Sequence, residues 1–119
     1  MNLANLIASI KSHPNYHEAG MILCHNGVVR STSRDGRKVS GLRVAVDHKK
    51  LKEVITTNKN RNGIIEILIE IAEEKDLNVG DDVMYIVVAG DIRENVIETL
   101  YNTLNDVKAT VTSKTEYYV

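Results

Sequence analysis

The sequence predicts an α+β fold, a β-sheet with helices packed on one side. Three observations predict it. Strand-like and helix-like stretches alternate along the 119 residues; two of the strand-like stretches flank a polar turn and read as a hairpin; and the clearest strand, residues 65–71, carries a charged outer face. A sheet charged on one face needs helices only on the other.

Leu3, Leu6, Ile7 and Ile10 recur at helical spacing and predict a short amphipathic helix over the first dozen residues. His13-Pro14 closes it, because the residue before a proline is pushed out of the helical region. Residues 21–23 and Val28-Val29 read as strand, residues 30–38 as a polar turn around Asp35-Gly36, and Val39, Leu42, Val44 and Val46 as the returning strand of a hairpin. Asp47 is placed to cap a helix in which Leu51, Val54 and Ile55 share a face. Residues 65–71 alternate apolar odd positions with Glu66 and Glu70, the period of a strand buried on one face. A turn over residues 78–81 leads into residues 83–89, an unbroken apolar run that fits a central strand. Asp91 followed by Glu94 has capping-box spacing and opens a helix with Ile92, Val96, Leu100 and Leu104 in four-residue steps. A Thr- and Val-rich segment, read as extended, ends the chain at Tyr117-Tyr118-Val119.

A chain of 119 residues suits one domain over residues 1–119, since domains commonly run to about 100–150 residues. Hydrophobic residues at 43% and charged residues at 26% exclude long disorder. No apolar run is long enough to span a bilayer and the N-terminus lacks a secretory layout, so the expected location is cytoplasmic, with no membrane contact. Cys24 is the single cysteine, which excludes an intrachain disulfide and multi-cysteine metal centres. His13, His17 and His25 lack ligand spacing, so no metal is expected, and the scattered glycines form neither a phosphate loop nor a dinucleotide fingerprint.

The net charge of -1 conceals a segregation. Residues 30–52 hold eight Lys or Arg against Asp35 and Asp47, whereas residues 64–106 hold eleven Asp or Glu against Lys75 and Arg93. The basic stretch suits a phosphate or an acidic partner. Nucleic acid is disfavoured, because the 4% of aromatic residues are all Tyr and none interleaves with the basic run.

Pro14, Gly20, Gly27-Val28-Val29-Arg30, Gly36, Val39 and Leu42 stand in an order and spacing that resemble the large, catalytic subunit family of molybdopterin synthase. Later stretches extend the resemblance over nearly the whole chain. Leu77-Asn78-Val79-Gly80-Asp81 is similar to the family's turn before its central strand, and residues 107–116 to its C-terminal lysine-bearing segment with one residue deleted. The resemblance implies an α/β hammerhead fold and a homodimer within a heterotetramer. It implies a small ubiquitin-like sulfur carrier as partner, whose C-terminal Gly-Gly thiocarboxylate delivers sulfur to cyclic pyranopterin monophosphate to form molybdopterin, with no bound cofactor.

By that resemblance Lys108 and Lys114 are the paired catalytic lysines, one in acid–base or covalent steps and the other clamping the carrier tail. Arg30, and Arg93 with one residue inserted, take the substrate-binding places. Such chemistry needs cations, since the cyclic phosphate and the thiocarboxylate are both anionic and repel each other in a desolvated pocket. The two lysines are an even number of residues apart, so the extended reading puts them on one strand face. The sequence departs from the family pattern where Ala89-Gly90-Asp91-Ile92-Arg93 replaces a Ser-x-His-Arg segment, and where Thr112-Ser113 stands in place of Pro and Trp. Two alternatives therefore accompany sulfur transfer: a family-like protein that binds the carrier with impaired catalysis, and an unrelated α+β ligand-binding module.

Overall fold

A computed structural model describes residues 1–119. Helix α1 (Leu3–Lys11) is followed by a single 3-10 turn, strands β1 (Met21–Val28) and β2 (Val39–Val46), helix α2 (His48–Lys59) and strand β3 (Ile64–Ile71). The chain continues through β4 (Leu77–Asn78), β5 (Asp82–Gly90) and helix α3 (Arg93–Asp106) into a π-helical turn (Val107–Val111) and β6 (Thr112–Tyr118).

These elements build two antiparallel three-stranded sheets, one ordered β1-β5-β3 and the other β4-β2-β6. The hairpin expected between β1 and β2 does not form. β1 runs along β5, β2 pairs with β6 and β4, and one isolated bridge, Thr32 to Lys38, is all that joins the flanks of the connector. Buried Val29 explains the divergence: its N–H donates to the Asp81 carbonyl at 2.9 Å, and its own carbonyl accepts from Gly80 N–H at 2.9 Å. The turn before β5 thus seizes the chain where β1 ends and sends it into the second sheet.

β5 is the central strand of its sheet, and both of its faces are covered. Met84, Ile86 and Val88 join Val54 of α2, Val96 of α3 and Ile67 of β3 in the main core, so the two long helices lie on one side. Tyr85, Val87 and Ala89 point the other way, against Leu6 and Ile10 of the short α1. The period-2 expectation for β3 holds from Ile67 onward: Ile67, Ile69 and Ile71 join the main core, whereas across the register shift between Ile64 and Glu66 it is Ile64 that packs there, and Glu66 on the other face meets Lys59 at 2.8 Å and His13 at 3.8 Å. A third cluster, Val29, Leu42, Val44, Ala72 and Leu77, forms the core of the second sheet. Val46, Ile71 and Val83 pack against both this cluster and the main core, and so join the sheets.

The caps divide the two long helices. Asp47 caps α2 as its position predicts, accepting from Lys50 N–H at 3.1 Å. Asp91 does not cap α3. Its carboxylate accepts from Ile92 N–H at 2.7 Å and Asn95 Nδ2 at 2.9 Å, the helix begins at Arg93 without a side-chain cap, and Ile92 is 54% exposed. The capping box fails because the local bonds hold Asp91 against the Gly63 turn, whose carbonyl takes the Asp91 N–H at 2.9 Å. Val96, Leu100 and Leu104 pack on the main core as the four-residue steps imply, beside fully buried Thr99 and Thr103, while Ile92 stays outside.

The C-terminal segment is not extended throughout. Residues 107–111 wind as a π turn that buries Val107 and Val111, and β6 begins only at Thr112. Lys108 and Lys114 therefore do not share a strand.

Candidate functional site

The two lysines nevertheless converge. A cavity of about 490 Å³ opens where the two sheets meet. β1 supplies His25, Gly27 and Val28, β5 supplies Val83 and Met84, and β2 supplies Leu42 and Val44. Lys108 from the π turn, Thr112 and Lys114 from β6, and Arg34 from the connector complete the lining.

Local structure explains each position. Val107 and Val111, four residues apart on the π turn, both reach the core while Lys108 between them is exposed. Thr110 and Thr112 brace this winding: their hydroxyls donate to the Asp106 carbonyl at 2.8 Å and the Val107 carbonyl at 3.4 Å. Asp47 N–H, at the start of α2, donates to the Val111 carbonyl at 2.8 Å and pins the turn from outside. Lys114 stands opposite Val44 in the β2–β6 register, which places it beside the apolar part of the lining. On β1, Met21 and Leu23 pack on the main core, and period-2 alternation directs His25 and Gly27 to that same side. Neighbouring Cys24 faces α1 instead, where burial pushes its thiol pKa up.

The lining holds two lysines, one arginine, one histidine and no carboxylate. Lys114 is partly offset by Glu116, whose carboxylate lies 3.9 Å from its Nζ. Lys108 and Arg34 form no ion pair within the chain. The His25 pKa is lowered, first by burial and then by the positive charge of Lys108. An anion entering the cavity therefore meets a positive field on a partly apolar floor, where charge interactions are stronger than in bulk water.

Of the residues selected from sequence, Lys108 and Lys114 come together and the two arginines stand apart. Arg30 Nε donates to the Thr32 carbonyl at 2.8 Å on the exposed connector, outside the lining. Arg93 is 79% exposed at the start of α3, 3.2 Å from Glu94, at the opposite end of β5 from the cavity. Arg34 and His25 escaped the sequence reading. Arg34 lies in a loop without periodicity, so nothing local marks it. The alternation of Met21, Leu23 and His25 was a usable signal for His25. No group of three or more His, Cys, Asp or Glu side chains is positioned to hold a metal ion.

A family model described as MoaE protein matches residues 1–110. The chain belongs to the MoaE protein family. Its resemblance to molybdopterin synthase large subunits is thus one of family, and the alternative of an unrelated module falls. Solved structures share the MoaE fold at low identity. A molybdopterin synthase from Staphylococcus aureus is 20% identical, with 86% of this chain and 77% of that chain covered and a TM-score of 0.73. A complex of subunits 1 and 2 of molybdopterin-converting factor from Helicobacter pylori gives 18% identity, coverage of 100% and 84%, and a TM-score of 0.72. Molybdopterin cofactor biosynthesis protein E from Burkholderia multivorans gives 19%, 100% and 84%, and 0.77. No curated protein matches the sequence significantly. No helix of this MoaE family member is long and apolar enough to cross a membrane.

Proposed function

We propose that this chain is the catalytic subunit of a molybdopterin synthase, moving sulfur from a thiocarboxylated ubiquitin-like carrier to cyclic pyranopterin monophosphate. The observation that carries the reading is the convergence of Lys108, Lys114 and Arg34 on one cavity without a lining carboxylate. Family membership and the likeness to the Staphylococcus aureus and Helicobacter pylori proteins support it. The partner is a small subunit ending in Gly-Gly, and the working assembly is a homodimer of this chain with one carrier on each copy.

Both reactants are anions, and the lysines and Arg34 offset their repulsion. The thiocarboxylate sulfur uses its electron pair to bond to a substrate carbon as that carbon's bond to oxygen breaks, the oxygen leaving with the electron pair and taking up a proton, so carrier and substrate are joined through an acyl–sulfur link. Water then attacks the acyl carbon and the carbon–sulfur bond to the carrier breaks. The sulfur stays on the substrate, the carrier leaves as a carboxylate, and a proton is released. Two such transfers supply the two dithiolene sulfurs. A lysine beside the acyl group stabilises the oxyanion of the tetrahedral intermediate, and the other neutralises the carrier's C-terminal charge.

Purified protein, thiocarboxylated carrier and the cyclic monophosphate should yield molybdopterin, and a carrier ending in an ordinary carboxylate should yield none. Absence of product with the active carrier overturns the assignment. A second reading, carrier binding without efficient chemistry, is favoured by the segment after β5, which has no histidine and turns Arg93 to solvent. Calorimetric binding of the carrier without turnover distinguishes it.

A further inference from the structure

Two buried polar side-chain atoms in the molecule lack a hydrogen-bond partner, and one of them, His25 Nε2, belongs to the cavity. Buried polar atoms are nearly always partnered, because desolvation without a replacement bond is costly. The other, Thr103 Oγ1 on α3, lies outside the lining. The imidazole enters no ion pair. Its room comes from Gly27, where a Cβ would sit 3.2 Å from Nε2.

The charges around the ring have one sign. Lys108 acts on it from the π turn, and Arg34 from the connector and Lys114 from β6, shared with Glu116, line the same cavity. β5 offers Val83 and Met84 to the cavity, and its Asp82 is engaged by the Tyr85 hydroxyl at 2.5 Å. β2 offers Leu42 and Val44, while its Arg43 pairs with Glu74 and Asp76. Asp106, at the end of α3, accepts from Asn58 of α2 at 3.1 Å. No carboxylate lines the cavity to stabilise an imidazolium.

We propose that His25 is an anion-binding residue of this cavity, neutral while the cavity is empty and protonated from solvent when a phosphate-like dianion enters. The inference rests on the reading of the cavity as the site of the anionic reactants, and adds a residue whose charge depends on occupancy. In the empty state, burial and Lys108 both hold the ring's pKa below its ordinary 6.5. A dianion reverses the local field and favours the charged ring. Proton uptake leaves a charged ring in the field of the dianion, and the proton returns to solvent when the anion leaves. A further arginine in place of His25 would only add repulsion to the site before the anion enters.

Sulfate tests this without the reaction, since its charge is constant from about pH 5 to 8. The His25 ring signals of the full chain are followed by NMR across that range with and without saturating sulfate, and sulfate affinity is measured by calorimetry in two buffers of different ionisation enthalpy. The expected result is a higher His25 midpoint with sulfate. Affinity should fall by up to about tenfold per pH unit between the free and bound midpoints, as one linked proton requires. His25→Gln should abolish the buffer-dependent proton uptake. A His25 midpoint that stays or falls on sulfate binding overturns the inference, and so does a cavity that binds no sulfate. A protein that protonates His25 with sulfate yet makes no molybdopterin keeps the inference and loses the sulfur-transfer reading.

Discussion

Asn58 ties the last turn of α2 to the last residue of α3, and charging it measures what that tie contributes to stability. Its side chain is 2% exposed in the last turn of α2, and Nδ2 donates to the Val54 carbonyl at 2.9 Å and to Asp106 Oδ2 at 3.1 Å. Asp106 is the last residue of α3, immediately before the π turn that carries Lys108. Asn58→Asp keeps the shape, removes the donor and sets two carboxylates against each other. Coulomb repulsion at about 4 Å and an effective dielectric of about 20 is ~4 kcal/mol. Because Asp106 is exposed, water screens about half of that. Loss of the bond to a charged acceptor adds ~1.5 kcal/mol, for a total of about 3–4 kcal/mol.

With an unfolding entropy of ~2.1 cal/mol/K per residue over 119 residues, each kcal/mol lowers Tm by about 4 °C, so Asn58→Asp should melt about 12–16 °C early at pH 7. Asn58→Ala loses the bonds without the repulsion, and the Val54 carbonyl keeps its helical N–H partner. It should cost about 1–2 kcal/mol. The two variants separate by pH. The introduced carboxylate has a folded-state pKa raised above its unfolded value, so its penalty is complete above the folded pKa and is relieved as pH falls through it. Thermal unfolding followed by circular dichroism at pH 7 and under mild acid should show Asn58→Asp approaching Asn58→Ala in acid. A variant as stable as wild type at pH 7, or a gap that does not narrow in acid, refutes the reasoning.

Lys108→Ala and Lys114→Ala should each lower molybdopterin formation by about 10²–10³, with Tm nearly unchanged, because a cation is lost from the cavity and no core contact goes with it; unchanged turnover in both variants would remove the site. Ile86, 0% exposed at the centre of the main core, should cost about 2–5 kcal/mol on Ile86→Ala, measured by urea unfolding. The hydroxyl of Tyr117 donates to Asp76 at 2.7 Å, and this bond, followed by the bond from Arg43, holds the Asp76 carboxyl below its usual 3.8. A depressed folded pKa stabilises above the unfolded value and is lost as pH falls through the folded one. Tyr117→Phe should therefore shrink the loss of stability seen in wild type on acidification below pH 3.8, and identical acid limbs would show the bond to be inert.

Periodicity located most elements, since it records which side of a segment is buried and needs no knowledge of the partner. The helical spacing of Leu6 and Ile10, the alternation along residues 65–71 and the apolar run of β5 all correspond to observed elements. The Asp47 cap was legible too, because its bond to Lys50 spans three residues. Pairing was not. Residues 30–38 look like a hairpin turn, yet the competition for β1 is won by β5, about sixty residues away, through bonds that Val29 makes with the turn before it.

The candidate site divides in the same way. Lys108 and Lys114 came from the order of motifs along the chain, and the strand geometry expected to bring them together was wrong, because residues 107–111 wind as a π turn instead of extending. The sequence by itself determined most of the elements and their buried faces, the family resemblance and two lysines that share a cavity. Only the tertiary structure decided which strands pair, that Arg34 and His25 line the cavity, and that Arg30 and Arg93 lie outside it. The physical reason is range: burial period and capping act over a few residues, whereas a cavity between two sheets is made by segments that meet only after the chain has folded.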